Sequence, residues 1–255
     1  MKLGKSELKE FLDEKYEAFN RPNFIESDPI SVPHQFSKKE DIEIAAFFTA
    51  TFAWGQRPTI IRNGLRLMEL MDNEPYDFII NHTESDLKVF KGFAHRTFQS
   101  TDAAFFIRSL KNIYTKKGGL EKVFNTKPSE DMYSGLINFR KAFLGADTDH
   151  RTAKHIADVE KNSSAKRLNM FLRWMVRNDK RGVDFGIWKT IAPALLYCPL
   201  DLHSGRVARK LGLLKREQDD WKAVDELTKE LRKLDPKDPV KYDFALYGLG
   251  VFEKF

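Results

Sequence analysis

The chain has 255 residues, 42% of them apolar and 21 of them Phe, enough to fill the core of one large or two small domains. No apolar run approaches the roughly 18 to 20 residues that cross a bilayer, and Met1-Lys2-Leu3-Gly4-Lys5-Ser6 lacks a signal-peptide core, so a cytoplasmic protein with no membrane partner is expected. Cys198 stands alone, which excludes an intrachain disulfide or a thiolate cluster, and the six His include no HExxH, so no metal or cofactor is expected.

Nearly every periodic segment reads as helix, and the fold class is all-α. Ser6 opens a helix to about Phe19. Ser37-Lys38-Lys39-Glu40 has the spacing of a capping box before a helix from Asp41 to Trp54, which Gly55 stops. Pro58 suits the first turn of a helix reaching about Met71. Further helices are expected at 75–81, at 100–117 before Gly118-Gly119, and at 129–144, followed by a polar surface connection over 145–162 that has room for a short helix. In 163–177 Leu168, Phe171, Leu172 and Met175 make one apolar stripe, with Lys166, Asn169, Arg173 and Arg177 opposite. Gly182, Gly186, Pro193 and Pro199 break 181–199 into an irregular connection. Helices follow at 202–211, 219–234 and 239–251.

The formal net charge of +6 is unevenly placed. Lys161 to Gly182 holds seven basic residues against Asp179, and His203 to Arg216 holds five with no acid, which is the local excess that a phosphate backbone selects. Two solvated helix faces would show the same pattern.

The segment Pro199-Leu200-Asp201-Leu202-His203-Ser204-Gly205-Arg206-Val207-Ala208-Arg209-Lys210-Leu211-Gly212 resembles the Pro-x-Asp-x-His-x-x-Arg-x-x-x-x-Leu-Gly signature of the helix-hairpin-helix DNA glycosylases. Together with 165–177 and 239–251 it is similar to a bacterial family of unknown function, itself similar to that superfamily and closest in pattern to its archaeal 8-oxoguanine branch. The match covers about 163–251; the first 160 residues carry pieces such as Ala94-His95-Arg96 but no glycosylase motif. The resemblance implies one globular unit over 1–255, with helical lobes of 1–160 and 161–255 around a cleft and a short N-terminal segment crossing back. It also implies a Lys nucleophile and an Asp on one pocket. Lys166 lies 35 residues before Asp201, the longer spacing of the archaeal branch.

The activity implied is excision of a damaged base from duplex DNA, with or without strand cleavage through a Lys166 Schiff base, or nucleic-acid binding without catalysis on the same fold; a monomer is assumed, since the sequence does not decide between monomer and dimer. Arg167, Arg173, Arg177, Lys180, Arg181, Gly182, His203, Arg206, Arg209 and Lys210 are the candidate DNA contacts, and Trp174, Phe185 and Trp188 the candidates for stacking on an extruded base. A standard hairpin carries Leu-Pro-Gly-Val-Gly, whereas Arg181-Gly182-Val183-Asp184-Phe185-Gly186 spaces its glycines differently and inserts an Asp. Each residue also has a structural reading: Asp201 as an N-cap, Lys166 as a surface cation, the three aromatics as core.

Overall fold

The computed structural model describes residues 4–126, 131–145 and 150–255. Helix dominates, and the sheet among these residues is one hairpin of two-residue strands. Chain packing separates two compact units, Met1–Phe24 with Asp158–Phe255, and Ile25–Ala157. The N-terminal helix therefore folds with the C-terminal elements.

In the unit of Ile25–Ala157 the central helix is α3 (Lys39–Phe52), after α1 (Lys5–Phe19) and α2 (Asn23–Ser27) in chain order. Residues 41–52 of α3 are all buried, so it is wrapped on every side and shows little amphipathic stripe. Around it lie α4 (Arg57–Glu69), α5 (Pro75–Asn81), α6 (Ser100–Lys116), α7 (Leu120–Phe124), α8 (Met132–Leu144) and α9 (His150–Ala153). The abundance of Phe is explained here: Phe106 sits 4.7 Å from Phe143 and 5.6 Å from Phe47, and Phe124 stacks on Phe139 at 4.2 Å. Such pairs add about 0.5–1.5 kcal/mol each beyond burial. The hairpin, β1 (Ala94–His95) and β2 (Phe98–Gln99), pairs Ala94 with Gln99 and His95 with Phe98. At the start of α6 the Gln99 amide donates to Asp102 Oδ2 at 2.8 Å.

The other unit holds α1, α10 (Lys166–Val176), α11 (Leu202–Lys210), α12 (Trp221–Leu234) and α13 (Tyr242–Val251). α1 lies on α13, where Gly248 permits the approach, since a Cβ there would stand 2.1 Å from the Phe19 ring. α13 is buried along most of its length, and α12 buries Ala223, Val224, Leu227, Leu231 and Leu234 on one face.

Helix ends differ from expectation in physically informative ways. The capping-box pattern at Ser37 is not used: Lys38 is the N-cap of α3 and makes no side-chain cap bond. α10 starts three residues later than the periodicity implies, because Ala165 takes a left-handed conformation (φ 48°) that a regular helix does not accept. The expected helix at 239–251 opens with a 3-10 turn, Pro239–Lys241, and the start of the one at 129–144 falls outside the described residues, α8 beginning at Met132 behind its cap Asp131.

Candidate active site

Lys166 is the first residue of α10. The chain reaches it through Asn162, whose side chain donates to Asp220 Oδ2 at 2.8 Å and whose carbonyl accepts from Trp221 N at 3.1 Å, so the starts of α10 and α12 are tied together. Asp201 is the N-cap of α11. Its Oδ1 accepts from the amides of His203 (2.9 Å) and Ser204 (3.0 Å), while Ser204 Oγ accepts from the Asp201 amide at 2.9 Å. The buried run Cys198-Pro199-Leu200 holds it in place, Cys198 N donating to Thr228 Oγ1 at 3.1 Å.

That cap uses one carboxylate oxygen and leaves the other for a different partner. Asp201 Oδ2 stands 3.5 Å from Lys166 Nζ, and the two side chains are 25% and 28% exposed. Capping and an ion pair facing solvent are thus combined in one residue, and both ends of the pair are reachable from outside. Burial pushes the Asp201 carboxyl up, but Lys166 and the two α11 amides outweigh it and hold the group below the usual carboxylate range. At neutral pH it is an anion.

Behind the pair runs a buried ladder of charges along α10. Arg173 bonds Asp243 and Asp184, the latter at 3.3 Å. Arg177 donates to Asp184 (2.8 Å), Asp238 (2.8 Å), Asp179 (2.8 Å) and the Tyr16 hydroxyl (2.7 Å). The guanidinium of Arg173 also lies 4.2 Å from the Phe244 ring centroid. Burial drives the Asp243 carboxyl up to about 6, with nearby Asp201 adding to the rise and Arg173 and Lys166 opposing it. Burial and Asp243 together raise the Cys198 thiol well above its normal range, so the cysteine is no nucleophile at neutral pH.

A pH dependence follows. Since the folded value of Asp243 exceeds its unfolded one, stability linked to this proton is complete below about pH 4 and is lost as pH rises through 6. Urea titrations of wild type and Asp243→Asn should therefore diverge between pH 4 and 8, the wild type losing on the order of 3 kcal/mol relative to the variant. A difference independent of pH would contradict this reading.

The remaining sequence candidates separate by exposure and partner. Lys180, Gly182, His203, Arg206 and Lys210 are exposed, with Arg206 also donating to the Gly250 carbonyl at 3.1 Å, and Arg167 and Phe185 are half-buried. Arg181 and Arg209 are committed to carboxylates, Glu17 and Asp219, each at 2.6 Å. Arg173 and Arg177 are 4% and 1% exposed. The solvent-facing position expected for these two is corrected by their burial against carboxylates, and they present no surface to a phosphate backbone. Trp174 and Trp188, 0% and 1% exposed, are likewise core residues, Trp188 lying edge-on to Phe171 at 5.4 Å, and stack on nothing from outside.

The glycine segment has a different role from a phosphate-binding hairpin. Phe185 N donates to Trp174 O at 2.9 Å and Trp188 N to Met175 O at 2.9 Å, so amides of this loop close the C-terminus of α10. Gly186, at φ 56°, permits it, because a Cβ would lie 2.4 Å from that of Asn178. Asp184, the residue that broke the sequence pattern, is the carboxylate shared by Arg173 and Arg177.

Residues 28–252 match the profile of a family described as protein of unknown function, DUF2400. The chain belongs to the DUF2400 family. No curated protein and no solved structure matches it. The DUF2400 match spans both compact units, and therefore includes Lys166, Asp201 and the buried ladder. Among the described residues no helix is long and apolar enough to cross a membrane, and no three His, Cys, Asp or Glu side chains converge as a metal-binding group.

Sequence reasoning missed the acids that partner Arg173 and Arg177. Their local signals were Asp179 and Asp184; Asp238 and Asp243 reach α10 from more than sixty residues away.

Proposed function

We propose that this chain is a DNA N-glycosylase acting on a damaged base, with Lys166 as nucleophile and Asp201 as the carboxylate that stabilises the sugar cation. The supporting observation is the 3.5 Å approach of Lys166 Nζ to the uncapped oxygen of Asp201, on a partly exposed surface. The exposed Arg206 and Lys210 on the same helix as that cap supply positive charge for a phosphate backbone, with the exposed His203 beside them. In the reaction the Lys166 ammonium first gives a proton to solvent; the resulting neutral amine attacks C1′ of the deoxyribose and the N-glycosidic bond breaks. The base departs with the bonding pair and takes up a proton, and loss of the amine proton with ring opening gives a Lys166–sugar Schiff base. Asp201, held below the usual carboxylate range, is a weak base but a permanent negative charge. Its contribution in this mechanism is electrostatic, opposing the positive charge that builds on the ring as the base leaves.

The test is single-turnover base release from duplexes carrying 8-oxoguanine, uracil or only normal bases. Wild type should release one modified base, and Lys166→Gln should be slower by about 10³-fold or more. Identical wild-type and variant rates across the panel would refute the assignment.

Binding without chemistry is the second reading, favoured by one observation. The Asp201 carboxylate is already engaged as the α11 cap, so a structural role accounts for its presence. That reading predicts salt-dependent DNA affinity and no base release.

A further inference from the structure

In the unit of Ile25–Ala157 a separate feature is unexplained by the Lys166–Asp201 pair. Trp54, in the short link between α3 and α4, is 37% exposed, whereas Trp174, Trp188 and Trp221 are 9% exposed or less. The Arg96 guanidinium lies over its ring, 4.1 Å from the centroid. Gly55 admits this contact: a side chain there would place Cβ 2.7 Å from Arg96 Nη1.

Arg96 occupies its position at a cost. It sits at the turn of the β1–β2 hairpin with φ 55°, a conformation that a non-glycine residue takes up only with strain. The hairpin itself is firmly held. His95 is buried, stacks on Phe52 at 4.9 Å and meets Asn63 Nδ2 through Nδ1 at 2.9 Å; Phe98 is buried, and Arg151 donates to the Thr97 carbonyl at 3.3 Å. Two other arginines of this unit are taken up by carboxylates, Arg108 by Glu84 and Arg151 by Asp102. Arg96 has no hydrogen bond or ion pair among the described residues. A strained backbone thus presents a guanidinium over an exposed indole with its N–H groups unoccupied among the described residues.

We infer that the Arg96–Trp54 stack is a contact site for an unpaired nucleic-acid strand, Arg96 receiving a phosphodiester while Trp54 packs against the adjoining nucleotide. The guanidinium fork matches two phosphate oxygens at once, and aromatic surface beside an arginine is the pairing that holds single strands without sequence preference. An acidic peptide would satisfy the guanidinium but give the indole nothing to stack on. The basic chain, with pI near 9.2, favours the polyanion. This inference stands on residues separate from the proposed glycosylase pair and survives or fails without it.

The test is anisotropy of a labelled oligothymidylate with the full chain across a salt series. Arg96→Gln and Trp54→Leu should each weaken binding about 10-fold, and Arg96→Gln should reduce the salt slope by about 0.7, one phosphate contact. Arg62→Gln, an exposed cation on α4 in the same unit, should weaken it by less than about twofold. Arg96→Gly provides the decisive control, since it relieves the positive φ: it should raise the thermal midpoint and still lose affinity, whereas a merely structural Arg96 would show lower stability. The oligonucleotide should also shield the iodide-quenchable emission, which belongs to Trp54. Equal losses for Arg62→Gln and Arg96→Gln, unchanged binding in Arg96→Gly, or equal displacement by polyglutamate or inorganic phosphate at matched ionic strength would overturn the inference.

Discussion

Asp201→Asn is expected to slow base release by about 10³-fold while leaving the unfolding midpoint nearly unchanged. Asparagine caps a helix as well as aspartate does, so its side-chain oxygen can keep the bonds that Asp201 Oδ1 receives from the His203 and Ser204 amides. The negative charge facing Lys166 is what disappears. Removing a preorganised electrostatic group of this kind costs about 10²–10³ in rate where it has been measured, and loss of the Lys166 partner adds to that. Asp201→Ala provides the contrast, because it removes charge and cap together and should also lose about 1 kcal/mol of stability. Paired base-release kinetics and urea melts read the two effects separately. An Asp201→Asn protein with wild-type rates would reduce Asp201 to a helix cap.

Arg177→Ala should be the most destabilising single change in the C-terminal half, by about 3–5 kcal/mol. Arg177 is 1% exposed and answers Asp184, Asp238 and Asp179 at once. Its loss takes the arginine from Asp179 and Asp238 and leaves the buried Asp184 with Arg173 alone, a situation in which breaking a buried pair is costly. That loss is a large fraction of the roughly 5–15 kcal/mol available to a domain. The damage should depend on pH with a definite sign. Carboxylates stranded in the interior have raised folded values, so stability falls as pH increases, and the variant should recover in part toward pH 5. Arg177→Lys keeps one charge but not the fork that reaches four partners, and should fall between the two. A loss below about 1 kcal/mol for Arg177→Ala, measured by urea denaturation at neutral pH, would mean that the ladder is held by packing alone.

What could be read from the sequence was local. The apolar stripe of α10, the double-glycine stop of α6 and the placement of α5 at Pro75–Asn81 depend on neighbouring residues, and the structure shows them. The aspartate before α11 was recognisable as a cap for the same reason, and the structure adds that only one of its oxygens is so used. The face of α10 opposite its stripe misled. Arg173 and Arg177 look like surface cations because their position within the helix is polar, and their burial is decided by Asp238 and Asp243, which no periodicity links to them. Trp174 lies on the same helix and is enclosed with them, with 0% exposure. The β1–β2 hairpin escaped notice since two residues per strand are too few to show alternation, and with it the Arg96–Trp54 stack. Lys166 and Asp201 are a special case: 35 residues apart, they were paired through resemblance, and the fold brings them within 3.5 Å.

The most direct measurement is borohydride trapping of the full chain on duplexes containing an abasic site or 8-oxoguanine. Reduction converts a lysine–sugar Schiff base into a stable covalent adduct, visible as a shift on a denaturing gel. An adduct is expected with wild type and none with Lys166→Gln, and peptide mapping should place the sugar on Lys166. An adduct that persists in Lys166→Gln, or no adduct together with base release unaffected by that substitution, would contradict it.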